Sequence, residues 1–408
     1  MKILCVFGQH NYGDPSRGEG YEFANFIPAF KNLGHEVIFF DSHNRALYRD
    51  FADLNRALLQ VAEKTRPDLI IAVPLIYEVW KETWDVLRDW GQCAVVNWAT
   101  DDSWKYQQSS KLISKSFHAV TTTYPERYEQ YHRDGIRHVH LTQWAANSAF
   151  LKDPMPSCDC QYSVSFIGTA HGDRRKQIAF LESNGIHVDC FGFGWPNGAI
   201  RSDEIPEIIR KSRISLNFAN SVRTYERRRF RNTRQIKART FEVPGAGGFL
   251  LSEWAEGIER YYLPGSEIGI FYSRPDLIDK IHYYLDHPAE RDSVARCGHQ
   301  RTKKEHTYDL RMAELIDYAR VEFEEYFKDR ARNDQMDWQK FRSAEGLHVL
   351  NSFGKFIKYL ILNICVAIWG RKKGPRVARR LVFEISWRID GARTYSSRGI
   401  PGRMFYSE

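Results

Sequence analysis

The chain has 408 residues, 43% of them hydrophobic and 27% charged; it is too long for one ordinary core and too apolar for wholesale disorder, so two domains and an extension are expected. The formal charge of +8 suggests a nucleic-acid binder, but residues 353–408 hold 12 Lys/Arg against 3 acids, which leaves about −1 on residues 1–352. Near-neutral main domains argue against a nucleic-acid partner, and the excess cation belongs to the tail.

The elements follow in chain order. Ile3–Phe7 reads as a strand, and a glycine-bearing polar loop runs from Gly8 to Gly20. Phe23–Leu33 has helical apolar spacing, and Gly34-His35 stops it before a second strand at Val37–Phe40. Strand, loop, helix and strand within 40 residues form a βαβ unit and predict a parallel sheet. Leu69–Pro74, Ala94–Trp98, Ala119–Thr122 and His138–Leu141 continue the rhythm. Asp153–Cys160, with two prolines and a serine, reads as a linker. A second strand series follows at Ser163–Ile167, Val188–Phe191, Ile214–Phe218, Phe249–Leu251 and Ile268–Phe271, with helical patterns between, and Tyr308–Arg330 is a long charged helix placed to close this domain. The expected architecture is α/β: two Rossmann-like domains facing across a cleft, 1–152 and 161–330, plus a basic amphipathic helical tail, 331–408. Ligands of such sheets bind beyond the carboxyl ends of the strands.

Seven scattered cysteines make no disulfide framework, and Cys158 with Cys160 lacks a second pair at zinc spacing. A reducing, cytoplasmic compartment is expected, without a metal centre. The opening run MKILCVFG is too short for a signal-peptide core.

The segment Gln235–Leu251 puts Lys237 and Arg239 within five residues of Glu242, ahead of a run with three glycines and an apolar strand. A nucleotide diphosphate asks for such a mixture: cations for the phosphates, a carboxylate for ribose hydroxyls, glycines for close backbone approach. The same spacing also suits a surface ion pair and an ordinary turn. Asn97–Asp102 ends a strand on two carboxylates, and Asp101 or Asp102 is a candidate general base toward an acceptor hydroxyl; helix capping by the same residues is the other reading. His10 and Tyr21 stand in or beside the first glycine loop. Arg227, Arg228, Arg229, Arg231 and Arg234 form a basic cluster before the motif.

The pattern Lys-x-Arg-x-Phe-Glu-x-x-x-x-Gly-Gly resembles the donor-site signature of group-1 GT-B glycosyltransferases, in the subgroup related to the spore-maturation CgeB proteins. Val164–Gly168 followed by Arg174, Gly192–Trp195, Ser212–Asn217, Gly265–Ile268, Tyr283–Asp286 and His306–Tyr308 are similar as well. The resemblance spans roughly residues 1–320. It implies that Glu242 binds the nucleotide ribose, that Lys237 and Arg239 face the diphosphate with Gly247 and Gly248 in the donor site, and that Gly168 and Thr169 form a phosphate-facing turn with Arg174 at the next helix start. Many group-1 enzymes carry a second acid eight positions before this glutamate; here that position is Arg234. The implied activity is transfer of a hexose from a nucleotide sugar to a glycan or lipid-linked acceptor in cell-surface polysaccharide or glycoconjugate synthesis, with no metal ion or other cofactor. A nucleotide-sugar 2-epimerase of the same fold and a non-catalytic binding protein are the alternatives.

In the tail, Phe353–Trp369 has an apolar core from Tyr359 to Trp369 broken only by Asn363, with Lys355 and Lys358 before that core and Arg371–Lys373, Arg376, Arg379 and Arg380 after it. An apolar helix with flanking cations suits an anionic membrane surface. Peripheral attachment through 353–380 is therefore expected, with docking of that apolar face on protein as the alternative.

Overall fold

Short runs rich in Val, Ile, Leu and Phe, each followed by a helix, form two parallel sheets in a computed structural model that describes residues 1–220, 224–226, 229–231 and 233–406. The first sheet contains β1 (Lys2–Phe7), β2 (Glu36–Asp41), β3 (Leu69–Ala72), β4 (Ala94–Trp98), β5 (Ala119–Thr122) and β6 (Val139–Leu141). Their order is β2-β1-β3-β4-β5-β6, every pair parallel. β3 and β4 are buried along their whole length, which is why they read as continuous apolar runs rather than alternating ones.

The second sheet contains β7 (Tyr162–Ile167), β8 (Asp189–Phe191) and β9 (Ser212–Asn217). A separate antiparallel pair, β10 (Thr224–Glu226) with β11 (Arg229–Arg231), follows in sequence. β12 (Leu250–Glu253) and β13 (Gly269–Phe271) complete the second sheet in the parallel order β13-β12-β9-β7-β8. Each strand expected from sequence is present to within two residues at its ends.

The chain divides into two units: residues 1–122, 126–141 and 314–408, and residues 123–125 and 142–313. This differs from the division read from sequence. The helix Tyr308–Phe327 does not simply close the second domain, because the chain passes within it back to the first unit. Nor do residues 331–408 stand apart. Met336, Phe341, Phe383 and Tyr395 are buried in the same core as Trp80, Trp84 and Trp90. The carbonyl of Tyr406 accepts from Arg45 at 2.6 Å, and its hydroxyl donates to the carbonyl of Tyr48 at 2.7 Å.

The segment Ser352–Asp390 is a helical hairpin rather than one rod. Gly370 takes φ 78° and ψ 166°, which breaks the helix and favours a residue without Cβ. The second arm then folds along the first so closely that a Cβ on Gly374 would lie 2.6 Å from Val366 Cα. Ile357, Ile361 and Cys365 of the first arm pack with Ala378 and Val382 of the second and with Phe405. The outer stripe of the first arm is left open: Phe353, Phe356, Leu360, Ile364 and Ile368 are 44–72% exposed. By length and composition this segment is apolar enough to cross a membrane, and only 6% of its most apolar window is buried.

Candidate functional site

In the second unit the candidate residues gather at the carboxyl end of β7. The strand stops at Gly168, whose N–H donates to Phe191 O at 2.9 Å while its carbonyl accepts from Trp195 Nε1 at 2.7 Å. The turn Gly168–Asp173 leads into the helix Arg174–Ser183, whose first turn receives no side-chain cap. Arg174 reaches back over this turn, donating from Nη1 to Thr169 O at 3.0 Å and lying over the Phe166 ring. The helix Arg239–Gly245 starts at the same strand end, where Arg239 Nε donates to Ile167 O at 3.3 Å and Nη1 pairs with Glu242. The guanidinium of Arg174 is held below its usual range by burial and by the nearby Arg239. His171 is lowered by burial, by Arg174 and by Lys237. Three cations and a neutral-leaning histidine thus surround one strand end beside a helix start, an arrangement that favours an anion. So Gly168, Thr169, Arg174, Lys237, Arg239 and Glu242 come together as the sequence suggests.

Gly247 and Gly248 do not join them. The helix Arg239–Gly245 runs back from the strand ends, so these glycines lie at the amino end of β12 and are buried there. Gly247 has φ +76°, and a Cβ on it would lie 2.5 Å from Lys152 O; one on Gly248 would meet Ile209. Close packing of the chain, not approach of a ligand, requires glycine at both.

Sequence reasoning missed Glu253, at the carboxyl end of β12. Its carboxylate is buried, pairs with Arg234 Nε at 3.0 Å and accepts from Ala219 N at 3.0 Å. Burial raises its pKa despite Arg234. A carboxylate directly after an apolar strand was the available signal. Of the basic cluster before the motif, Arg227 and Arg228 lie outside the described residues.

In the first unit the two aspartates after β4 separate in role. Asp102 is buried and 1% exposed; it accepts from Ser110 Oγ at 2.5 Å and Tyr131 Oη at 3.1 Å. Burial pushes its carboxyl up to about 6. Held under Ser110 and Tyr131, Asp102 has the setting of a positioning residue, in contrast to the general-base role expected of it from sequence. Asp101 is partly exposed and holds φ 55° and ψ 27°, a left-handed conformation, at the N-cap position of the helix Asp102–Lys105 without a side-chain cap bond; strain of this kind collects at functional sites. Glu22, in the first turn of the helix Tyr21–Asn32, was also missed. Burial raises its pKa, and it lies within electrostatic reach of His43, Lys105 and Asp101. These groups sit near the point where the strand order reverses, between β1 and β3, the expected binding place in a doubly wound sheet. Among the described residues no group of three or more His, Cys, Asp or Glu is arranged to hold a metal ion.

Residues 174–317 match a family model described as glycosyl transferase-like, a segment that contains Arg174, Lys237, Arg239 and Glu242. A search of curated proteins by sequence finds no match. Among solved structures, HepE of Anabaena in complex with UDP and glucose is similar at TM-score 0.54 and 12% identity, over 78% of this chain and 99% of that one. A sucrose-phosphate synthase of Thermosynechococcus elongatus is similar at TM-score 0.53 and 12% identity, over 79% and 100%. A glycosyltransferase of Rickettsia africae gives TM-score 0.54 at 11% identity, over 79% and 98%. The protein has the α/β fold of the GT-B class, with a long C-terminal helical segment. It carries a glycosyl transferase-like segment on the unit that gathers the cations.

Proposed function

We propose that the protein is a glycosyltransferase of the group-1 GT-B type, CgeB-like, moving a hexose from a nucleotide-diphosphate donor to a glycan or lipid-linked acceptor in cell-surface polysaccharide or glycoconjugate synthesis. The observation that carries this reading is the grouping of Arg174, Lys237 and Arg239 with Glu242 at the carboxyl end of β7. The cations neutralise the diphosphate, which is the leaving group, so that charge developing on it meets preorganised donors. Glu242, released from Arg239, accepts the ribose hydroxyls. The structures of HepE with UDP and with UDP-glucose support a uridine nucleotide as the first donor to try. Asp101 serves as general base toward the acceptor hydroxyl, with Glu22 beside it and Asp102 fixing the turn.

The protein works at the cytoplasmic face of a membrane. The exposed apolar stripe of the tail hairpin, bordered by Lys355, Arg371, Lys372 and Lys373, supports an anionic bilayer as its partner, each nearby cation adding about 1 kcal/mol of attraction. The donor reading is tested by thermal denaturation of the full chain against a panel of nucleotide sugars. A true donor at 100 times its Kd adds about 2.7 kcal/mol of stability, and a panel in which none moves the melting temperature overturns the reading.

A further inference from the structure

The tail does more than fasten the chain, because its second arm walls a cavity of about 500 Å3 over the strand ends of the first unit. Arg376, Arg379, Arg380 and Phe383 follow at helical spacing and line it, while Ala378 and Val382 on the other side of the same arm pack into the hairpin. Opposite them stand Arg45 and His43, after β2, and Lys105, after β4. Five Lys/Arg and a histidine therefore converge on one cavity whose lining, among the described residues, contains no carboxylate; Glu22 lies within electrostatic reach of His43 and Lys105 but outside the wall. Several of these groups have partners: Arg380 pairs with Glu384, His43 lies 3.8 Å from Glu78, Arg45 donates to Tyr406 O and Lys105 lies over the Trp104 ring. The two carboxylates offset part of the charge, and the cations still outnumber them. The charge-neutral donors Asn44, Gln108 and Ser109 complete the wall.

Concentrated like charge is costly unless an anion relieves it, and guanidinium groups on one helical face suit the several oxygens of a phosphate group. The cavity shares Ile76, Arg376, Arg379, Arg380 and Phe383 with a neighbouring groove whose further lining is Tyr77, Val377, Leu381 and Trp369 with Lys373 and Glu384. Trp369 ends the arm that carries the exposed stripe, so the groove links the cationic chamber with the surface assigned to the bilayer.

We propose that this cavity binds the phosphate or pyrophosphate group of the acceptor, and that the C-terminal tail is thereby a built part of the acceptor site. The word acceptor rests on the transferase reading; binding of the anion does not. Lys105 and Arg376, on separate elements, grip the phosphate from two sides. The hydroxyl to be glycosylated then lies toward Asp101 and Glu22.

The test is calorimetric titration of the full-length protein, with UDP present at saturation, using inorganic pyrophosphate and farnesyl pyrophosphate as probes. Pyrophosphate should bind, and Lys105→Gln or Arg376→Gln should each weaken it about 10-fold or more, the worth of one charged hydrogen bond. Arg376→Lys should retain most of the affinity. Farnesyl pyrophosphate binding at least about 10-fold tighter than pyrophosphate, with the gain lost in Ile76→Asp, identifies a lipid as the source of the phosphate; equal affinities identify a soluble phosphorylated acceptor. Absence of pyrophosphate binding, indifference to both glutamine variants, or simple competition with UDP overturns the proposal. Glu242→Ala separates the two readings, since it should weaken UDP and leave pyrophosphate binding as it was. A protein that binds pyrophosphate here but no nucleotide sugar refutes the donor reading alone.

Discussion

Arg234 and Glu253 form an ion pair of 3.0 Å between the segment before the donor motif and the carboxyl end of β12. The arginine stands where related enzymes are expected to hold an acid, and the structure supplies a carboxylate from a different strand, buried beside it. Arg234→Ala should leave that carboxylate without its counter-charge and cost about 1–3 kcal/mol at pH 7, reduced by the arginine's 39% exposure. Because Glu253 already titrates above its ordinary value, removing Arg234 raises it further. The loss should then shrink as pH falls toward 5 and the carboxylate takes up a proton. Urea denaturation at the two pH values measures this, and an equal loss at both contradicts it.

Asp102 gives a second pH dependence. Its carboxyl titrates at about 6 in the folded chain and near 4 when unfolded. The folded state therefore holds the proton that the unfolded state has released, and stability falls as pH rises through that window. The fall is up to about 3 kcal/mol. Asp102→Asn, which cannot ionise, should gain on the wild type by that amount between pH 4 and 6 and then run parallel to it. A variant-to-wild-type difference that is flat across pH 4–7 would refute the assignment.

Glu242→Ala should weaken UDP or UDP-sugar binding at least about 10-fold, the contribution of one charged hydrogen bond, as read by titration calorimetry. Wild-type affinity in the variant sinks the ribose assignment while leaving the phosphate cations untouched.

His171 offers a spectroscopic reporter. Its titration is depressed by burial, Arg174 and Lys237, so a diphosphate bound among those cations should offset their field and move its pKa upward. Histidine NMR shifts followed against pH with and without UDP would record the change; a downward or absent shift places the nucleotide elsewhere.

The membrane reading is best tested on the outer stripe of the hairpin. Truncation after residue 349 would disturb the fold as well, because Phe383 and Tyr395 belong to the core of the first unit. Phe356→Asp with Ile364→Asp alters two exposed side chains and each removes roughly 1.5–3 kcal/mol of transfer energy. Cosedimentation with anionic vesicles should drop more than about 10-fold while the melting temperature holds; unchanged partitioning defeats the proposal.

The sheets were legible because buried parallel strands are continuous apolar runs separated by helical periods, and those periods are local. The cations and Glu242 were legible by residue type and spacing, since they lie within one segment and one strand end. Gly247 and Gly248 misled because a glycine run looks the same whether it admits a ligand or another stretch of backbone; the approach of Lys152 that decides the matter is remote in sequence. Asp102 misled for a related reason: its burial under Tyr131 and Ser110 is a tertiary fact. The hairpin was hidden inside one apolar stretch, where Gly370 reads as a tolerated helix glycine until its backbone angles are seen. Return of the tail to the first unit depends on contacts such as Arg45 with Tyr406, 361 residues apart, and no local pattern encodes them.

That return has a consequence for biosynthesis. Chains emerge from the ribosome amino end first and domains fold as they become complete, yet the first unit lacks its Phe341, Phe383 and Tyr395 layer until residue 395 has been made. The second unit, finished by residue 313, is free to fold earlier. The nascent protein should therefore complete the unit that carries Arg174, Arg239 and Glu242 before its amino-terminal half is whole, and termination ahead of Phe383 should release chains with one native unit and one open core.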